Sequence, residues 1–199
     1  TSTASSKVIH RTKSQNFPVM VMVTKQHYLF QFGRNTALAR AEATARYGDF
    51  ASISSRCPDF FSTHGPPITA PQPLLDALGG TIRIAEVFAE VAFPQVVEAI
   101  AAELLRLSPE QKISFGLSLF PAKERDNKTL LIGVKKHLKA QGKPVRFINR
   151  QFRNLDAGTL HSERLFAPHG AEIIIVPGSG KKLLLARTLR VLRLEHFCL

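Results

Sequence analysis

The segment Gly178-Ser-Gly-Lys-Lys182 is the nearest approach in this chain to a phosphate cradle. A P-loop needs a glycine five positions before the glycine of its Gly-Lys pair, and a Ser or Thr after the Lys to hold Mg²⁺. Ile175 stands at the first place and Lys182 at the second. The segment therefore reads as a glycine-rich hairpin turn carrying two exposed lysines. No GxGxxG dinucleotide loop and no GxSxG nucleophile elbow occurs. The seven histidines are His10, His27, His64, His137, His161, His169 and His196, and no pair has the HExxH spacing of a metal site. His137 falls among lysines and reads as a solvated residue of a helix. His161, Ser162 and Glu163 are adjacent in sequence, whereas triad members meet through the fold. Cys57 and Cys198 are too few for a disulfide framework or a four-cysteine zinc site, and nothing beside them activates a thiol. No metal set and no catalytic constellation is expected.

What the chain has instead is positive charge. Its 199 residues carry 27 Lys and Arg against 15 Asp and Glu, a net of +12. Residues 1–108 contribute 10 basic and 8 acidic side chains, a net of +2. Residues 109–199 contribute 17 and 7, a net of +10. A basic half points to a polyanion, nucleic acid first. The basic residues cluster by segment. Lys135, Lys136 and Lys139 mark a helix. Lys143, Arg146, Arg150 and Arg153 run through the following strand and loop. Lys181, Lys182, Arg187, Arg190 and Arg193 mark the last hairpin. Ten of these are the candidate RNA-binding residues: Lys135, Lys136, Lys139, Lys143, Arg146, Arg150, Arg153, Lys181, Lys182 and Arg187. Such a set tracks a phosphate backbone if its elements converge. Phe147 and Phe152 are the nearest rings, and Phe147 reads as core. Phosphate and shape reading is thus expected rather than base stacking.

The elements that must position these residues follow from periodicity. With 44% hydrophobic and 21% charged residues the composition is globular. No apolar run approaches the roughly 18 residues of a membrane span. Residues 1–24 are basic, Ser/Thr-rich and free of acid, the first acidic residue being Glu42. They are expected to form an extension: a basic arm, the remnant of a mitochondrial-type transit peptide, or residues added by cloning. Tyr28–Phe32 alternates as a strand, with Tyr28, Phe30 and Phe32 on one face. Thr36 reads as the N-cap of a helix over Ala37–Tyr47. Ala51–Ser55 and Pro58–Ser62 read as short strands, His64–Pro67 as a loop, Pro71–Leu78 as a short helix, Thr81–Phe88 as a strand and Val96–Leu107 as a helix. Ser108-Pro109-Glu110 reads as a short junction. Beyond it come a strand (Ile113–Phe120), an amphipathic helix (Lys128–Gln141) stopped by Gly142, a strand (Pro144–Asn149), a short helix (Leu160–Pro168), a central strand (Ala171–Pro177) and its hairpin partner (Lys182–Val191). The fold class is α+β.

Several stretches taken together resemble the THUMP-containing RNA guanosine-N2 methyltransferases. Tyr28-Leu-Phe-Gln-Phe-Gly-Arg-Asn35 before an Ala-rich helix is similar to their opening. Leu78-Gly-Gly-Thr-Ile-Arg-Ile-Ala85 is similar to their Leu-Gly-Gly-Thr-x-Lys-Ile segment, with Arg83 in place of Lys. His169-Gly-Ala-Glu-Ile173 and Leu185-Ala-Arg-Thr-Leu189 follow in the family's order. The resemblance spans roughly residues 27–197. It implies a ferredoxin-like domain over 25–108 and a THUMP domain over 109–199, which together dock structured RNA, typically tRNA. Methyl transfer in the family belongs to a separate domain that uses S-adenosylmethionine. Neither its glycine-rich loop nor its Asp/Asn-Pro-Pro motif occurs in this sequence. The expectation is a non-catalytic RNA-binding module that holds no cofactor. Its partners would be tRNA and a methyltransferase domain or other subunits, with no membrane, in the cytoplasm. The alternative is a structural component of a large ribonucleoprotein such as a mitochondrial ribosome, with rRNA as partner and a mitochondrial location. A stand-alone enzyme is a third reading that no residue set recommends.

Overall fold

A computed structural model describes residues 25–107, 112–168 and 170–192. The expected extension over 1–24 and the expected junction at 108–110 lie outside the described residues. The described chain builds one eight-stranded mixed sheet with five α-helices, an α+β fold. The strands are β1 (Gln26–Phe32), β2 (Ala51–Ser52), β3 (Phe60–Gly65), β4 (Thr81–Ala92), β5 (Ile113–Leu119), β6 (Val145–Phe147), β7 (Ala171–Pro177) and β8 (Lys182–Val191). The helices are α1 (Thr36–Tyr47), α2 (Pro71–Asp76), α3 (Val96–Leu107), α4 (Glu124–Ala140) and α5 (Ala157–Ser162). Across the sheet the order is β2-β3-β1-β4-β8-β7-β5-β6. The parallel pairs are β5 with β6 and β5 with β7.

Alternation decides the faces. Tyr28, Phe30 and Phe32 pack with Ala39 and Ala43 of α1, Leu75 of α2 and Ile84 of β4. Leu29, between them, joins Ala85, Ile174 and Ala186 in another cluster. In β7, Ile173 and Ile175 pack with α3 and α4, while Ile174 and Val176 pack with that other cluster. Both faces of β7 are covered, which is why its sequence is a continuous apolar run. Each such fully buried side chain contributes about 1.5–3 kcal/mol.

Several boundaries differ from the periodicity reading. The cap of α1 is Asn35 rather than Thr36, its side chain accepting from the Leu38 N–H at 3.2 Å. His64 and Gly65 belong to β3, pairing with His27 and Gln26. Helix α4 starts at Glu124, four residues early, because Glu124 and Asp126 suit the positive end of the helix. Helix α5 starts at Ala157, where the Asp156 side chain accepts from the Thr159 N–H at 2.7 Å. Strand β4 runs on to Ala92 because β8 gives it a partner along that length.

That β4–β8 pairing joins the two halves of the chain into one sheet. A buried polar row crosses the seam. Glu172 on β7 is fully buried and takes Arg83 Nη1 from β4 at 3.0 Å, Ser118 Oγ from β5 at 2.5 Å and Thr188 Oγ1 from β8 at 2.5 Å. Arg83 Nη2 donates to the Leu155 carbonyl at 3.3 Å. Another close fit lies where the chain enters β4. A Cβ on Gly80 would stand 2.4 Å from Ala39 Cβ and 2.8 Å from its Cα, so only glycine admits α1 there.

Candidate nucleic-acid interface

Helix α4 is placed by its apolar stripe. Leu130, Leu131, Val134 and Leu138 are buried in the core under the sheet. The helix ends in a Schellman turn: Gly142 N–H bonds the Lys139 carbonyl at 3.0 Å, and Lys143 N–H bonds that of Leu138 at 3.1 Å. Gly142 takes φ +73°, the left-handed conformation that turn requires. With the stripe fixed, Lys136 and Lys139 are exposed and Lys135 is half-buried. The neighbouring strand β6 turns Val145 and Phe147 partly inward and leaves Arg146 exposed.

The two rings expected to matter little are each topped by an ammonium group. Lys135 Nζ lies 5.1 Å from the Phe147 centroid, and Lys128 Nζ lies 5.3 Å from that of Phe152. The rings are 6.2 Å apart. Such contacts contribute about 0.5–1 kcal/mol at exposed sites and hold the lysine stems in place. Lys128 is therefore a member of this face that the sequence reading left out. After β6 the turn Arg150–Phe152 takes left-handed angles at Gln151 (φ 51°) and Phe152 (φ 58°). Asn149 Nδ2 holds it through the Arg153 carbonyl at 2.6 Å, and Asn127 Nδ2 through that of Phe152 at 2.8 Å. Arg150 and Arg153 are left exposed.

The ten predicted residues lie on several elements. Lys135, Lys136, Lys139, Lys143 and Arg146 share α4, the turn after it and β6. Arg150 and Arg153 sit at the far end of β6. Lys181 and Lys182 are exposed on the β7–β8 turn. Arg146 meets Glu163 at 3.4 Å and Arg153 meets Glu124 at 3.1 Å. Both pairs are at the surface, the Arg153–Glu124 pair fully exposed and the Arg146–Glu163 pair partly so, and each is worth little and exchangeable for a phosphate. The β7–β8 turn is a hairpin, as its spacing predicts. Glu90 Oε1 accepts the Ser179 N–H at 2.7 Å, so the chain's own carboxylate fills the place a phosphate would take, and hydrogen bonding from Ser179 holds Glu90 below the usual carboxylate range.

Arg187 is a correction. Its side chain is only 13% exposed, and it pairs with Glu86 at 2.5 Å and with Glu103 at 3.6 Å. Sheet alternation turned it toward α3 rather than toward an open face. Arg187→Ala is expected to cost about 2 kcal/mol of stability in urea unfolding, since hydrogen bonds to charged groups are worth roughly 1.5–3. Its affinity for RNA at fixed salt should equal the parent's.

His27, His64 and Cys57 have structural roles, and His10, His169 and His196 lie outside the described residues. His27 and His64 are cross-strand partners with rings stacked at 4.2 Å. Burial and the neighbouring His64 push the pKa of His27 down. Burial pushes the Cys57 thiol up, the opposite of an activated nucleophile. Among the described residues no three His, Cys, Asp or Glu side chains are grouped to hold a metal ion. No described helix is long and apolar enough to cross a membrane.

No protein-family model matches the chain, and no curated protein matches it. Three solved structures are similar in shape. TrmN from Thermus thermophilus matches over 82% of this chain at 14% identity and a TM-score of 0.46. PH1313 from Pyrococcus horikoshii Ot3 matches over 83% at 10% identity and a TM-score of 0.45. A 4-thiouridine synthetase, solved with RNA and bound ATP, matches over 84% at 12% identity and a TM-score of 0.43. The chain spans about half of those proteins, 45%, 55% and 42% of their respective lengths. All three scores are below one half.

Proposed function

We propose that this chain is an RNA-binding module that docks structured RNA, tRNA foremost. It would do so for an S-adenosylmethionine-dependent methyltransferase whose chemistry lies in a separate domain. The support is the exposed basic surface on adjoining elements: Lys136 and Lys139 on α4, Arg146 on β6, and Arg150 and Arg153 on the turn beyond. The acids paired with it are Glu124 and Glu163, both in exchangeable surface pairs. Ammonium groups on α4 neutralise phosphates and release their counterions, while arginine forks grip phosphate oxygens two at a time. An A-form backbone is read in this way by shape.

Reversing the charge of Lys135, Lys136 and Arg146 together tests the reading. Binding to an intact tRNA should weaken across a salt series. The slope of log affinity against log salt should flatten by roughly 2–3, near 0.7–0.9 per lost phosphate contact. Unchanged affinity and slope would remove α4 and β6 from the interface.

A further inference from the structure

A second basic feature lies away from α4. A cleft of about 460 Å³ opens where α2 of the first half meets the segment after α5 and the end of β8. Gln72, His161, Arg164, Phe166 and Arg190 line it, and among the described residues no acid does. Two arginines from separate elements, Arg164 after α5 and Arg190 on β8, thus line one concavity. Neither forms an ion pair with a described carboxylate.

Three further observations show that the cleft is built. Arg190 is fixed in place: its Cζ lies 5.1 Å from the Phe166 centroid, and Nη1 donates to the Leu189 carbonyl at 2.9 Å. His161 is held by Nε2 on the Val191 carbonyl at 3.2 Å, so that nitrogen carries the proton. Arg164 stands where glycine belongs. Helix α5 ends in a Schellman turn, with Arg164 N–H on the His161 carbonyl at 3.2 Å and Leu165 N–H on that of Leu160 at 3.0 Å. The residue at that turn takes φ +51°, and it is an arginine. A non-glycine residue there is strained, and strain of this kind collects at binding sites.

We infer that this cleft is a phosphate-binding site, with Arg164 and Arg190 gripping one phosphate group from two sides. A guanidinium fork matches phosphate geometry, and a side chain already fixed loses little freedom on binding. The phosphate comes either from an RNA chain or from a free nucleotide. This inference stands apart from the interface on α4 and is tested separately.

Arg164→Gly is the decisive variant because it removes the cation and relieves the backbone. It is expected to melt no lower than the parent. Titration of the full chain with inorganic phosphate and with adenosine 5′-monophosphate, followed by ³¹P NMR, should show saturable binding that Arg164→Gly weakens about tenfold or more. Arg190→Gln should do the same. Structured RNA supplies the second arm. If Arg164→Gly also weakens RNA binding, and phosphate competes with RNA, the occupant is an RNA phosphate. If only the small-molecule affinity falls, the occupant is a free nucleotide phosphate. A parent chain that binds none of these ligands, or variants that bind all of them as the parent does, would overturn the site. Loss of RNA binding from α4 charge reversal with phosphate binding intact leaves it standing.

Discussion

Glu172→Ala should lower the free energy of unfolding by about 3–5 kcal/mol, the range found when one partner of a buried ion pair is removed. Arg83 would keep its charge at 5% exposure with no carboxylate beside it. The hydroxyls of Ser118 and Thr188 would lose their shared acceptor. Since a domain of this size has only about 5–15 kcal/mol to lose, the variant should be visibly less soluble and should unfold at much lower urea. Glu172→Gln keeps an acceptor without the charge and should fall between. The double variant Arg83→Met with Glu172→Leu should recover most of the loss, because an apolar pair of similar volume leaves no buried charge unmatched. A urea midpoint for Glu172→Ala equal to the parent's would refute this account of the seam.

Asn149→Ala should cost on the order of 3 kcal/mol, at about 1–3 for each buried polar group left unpaired. Strand β6 stops at Phe147, yet β5 continues to Leu119. Asn149 supplies the missing ladder. Its Oδ1 accepts the Leu117 N–H at 2.9 Å, and its Nδ2 donates to the Leu117 carbonyl at 2.6 Å. Asn154 repeats the arrangement on Leu119, both bonds at 2.9 Å. Asn149→Asp is nearly isosteric but turns an oxygen toward the carbonyls of Leu117 and Arg153. It should be at least as damaging as alanine, and urea unfolding at neutral pH compares them. If Asp were tolerated, the amide would not be acting as a backbone mimic.

Local pattern carried most of the elements. Helix α3 and strands β7 and β8 lie where periodicity places them, because their apolar spacing is continuous over their whole length. The reading failed where the signal was a single polar side chain. Asn35 and Asp156 cap helices without altering any apolar period, and Asn149 looks like a strand end until Leu117 is beside it. Glu172 was visible as the one acid in an apolar run, but its partner lies 89 residues away and only the sheet brings them together. Arg83 and Glu172 each fall inside a stretch that carries the family resemblance, Leu78–Ala85 and His169–Ile173. Those stretches meet in the interior, where they hold the seam. The basic face on α4 could be read from charge and period, whereas Arg187 was misplaced because a strand's inward arginine looks like an outward one. Arg164 and Arg190 sit on separate elements, and no local spacing announces their meeting.

The ends of the sheet have a consequence for how the protein behaves when concentrated. An open sheet invites a second chain to add a strand at either edge. Among the described residues one edge is β2, two residues long, and the other is β6, three residues long. Where β5 outruns β6, Asn149 and Asn154 occupy its outward N–H and C=O groups with side chains that end the ladder. A docking strand would find too few bonds at the β6 edge to offset its ordering entropy. Coupled with a net charge of +12, this should keep the folded chain from stacking into fibres and confine its associations to its positively charged surfaces.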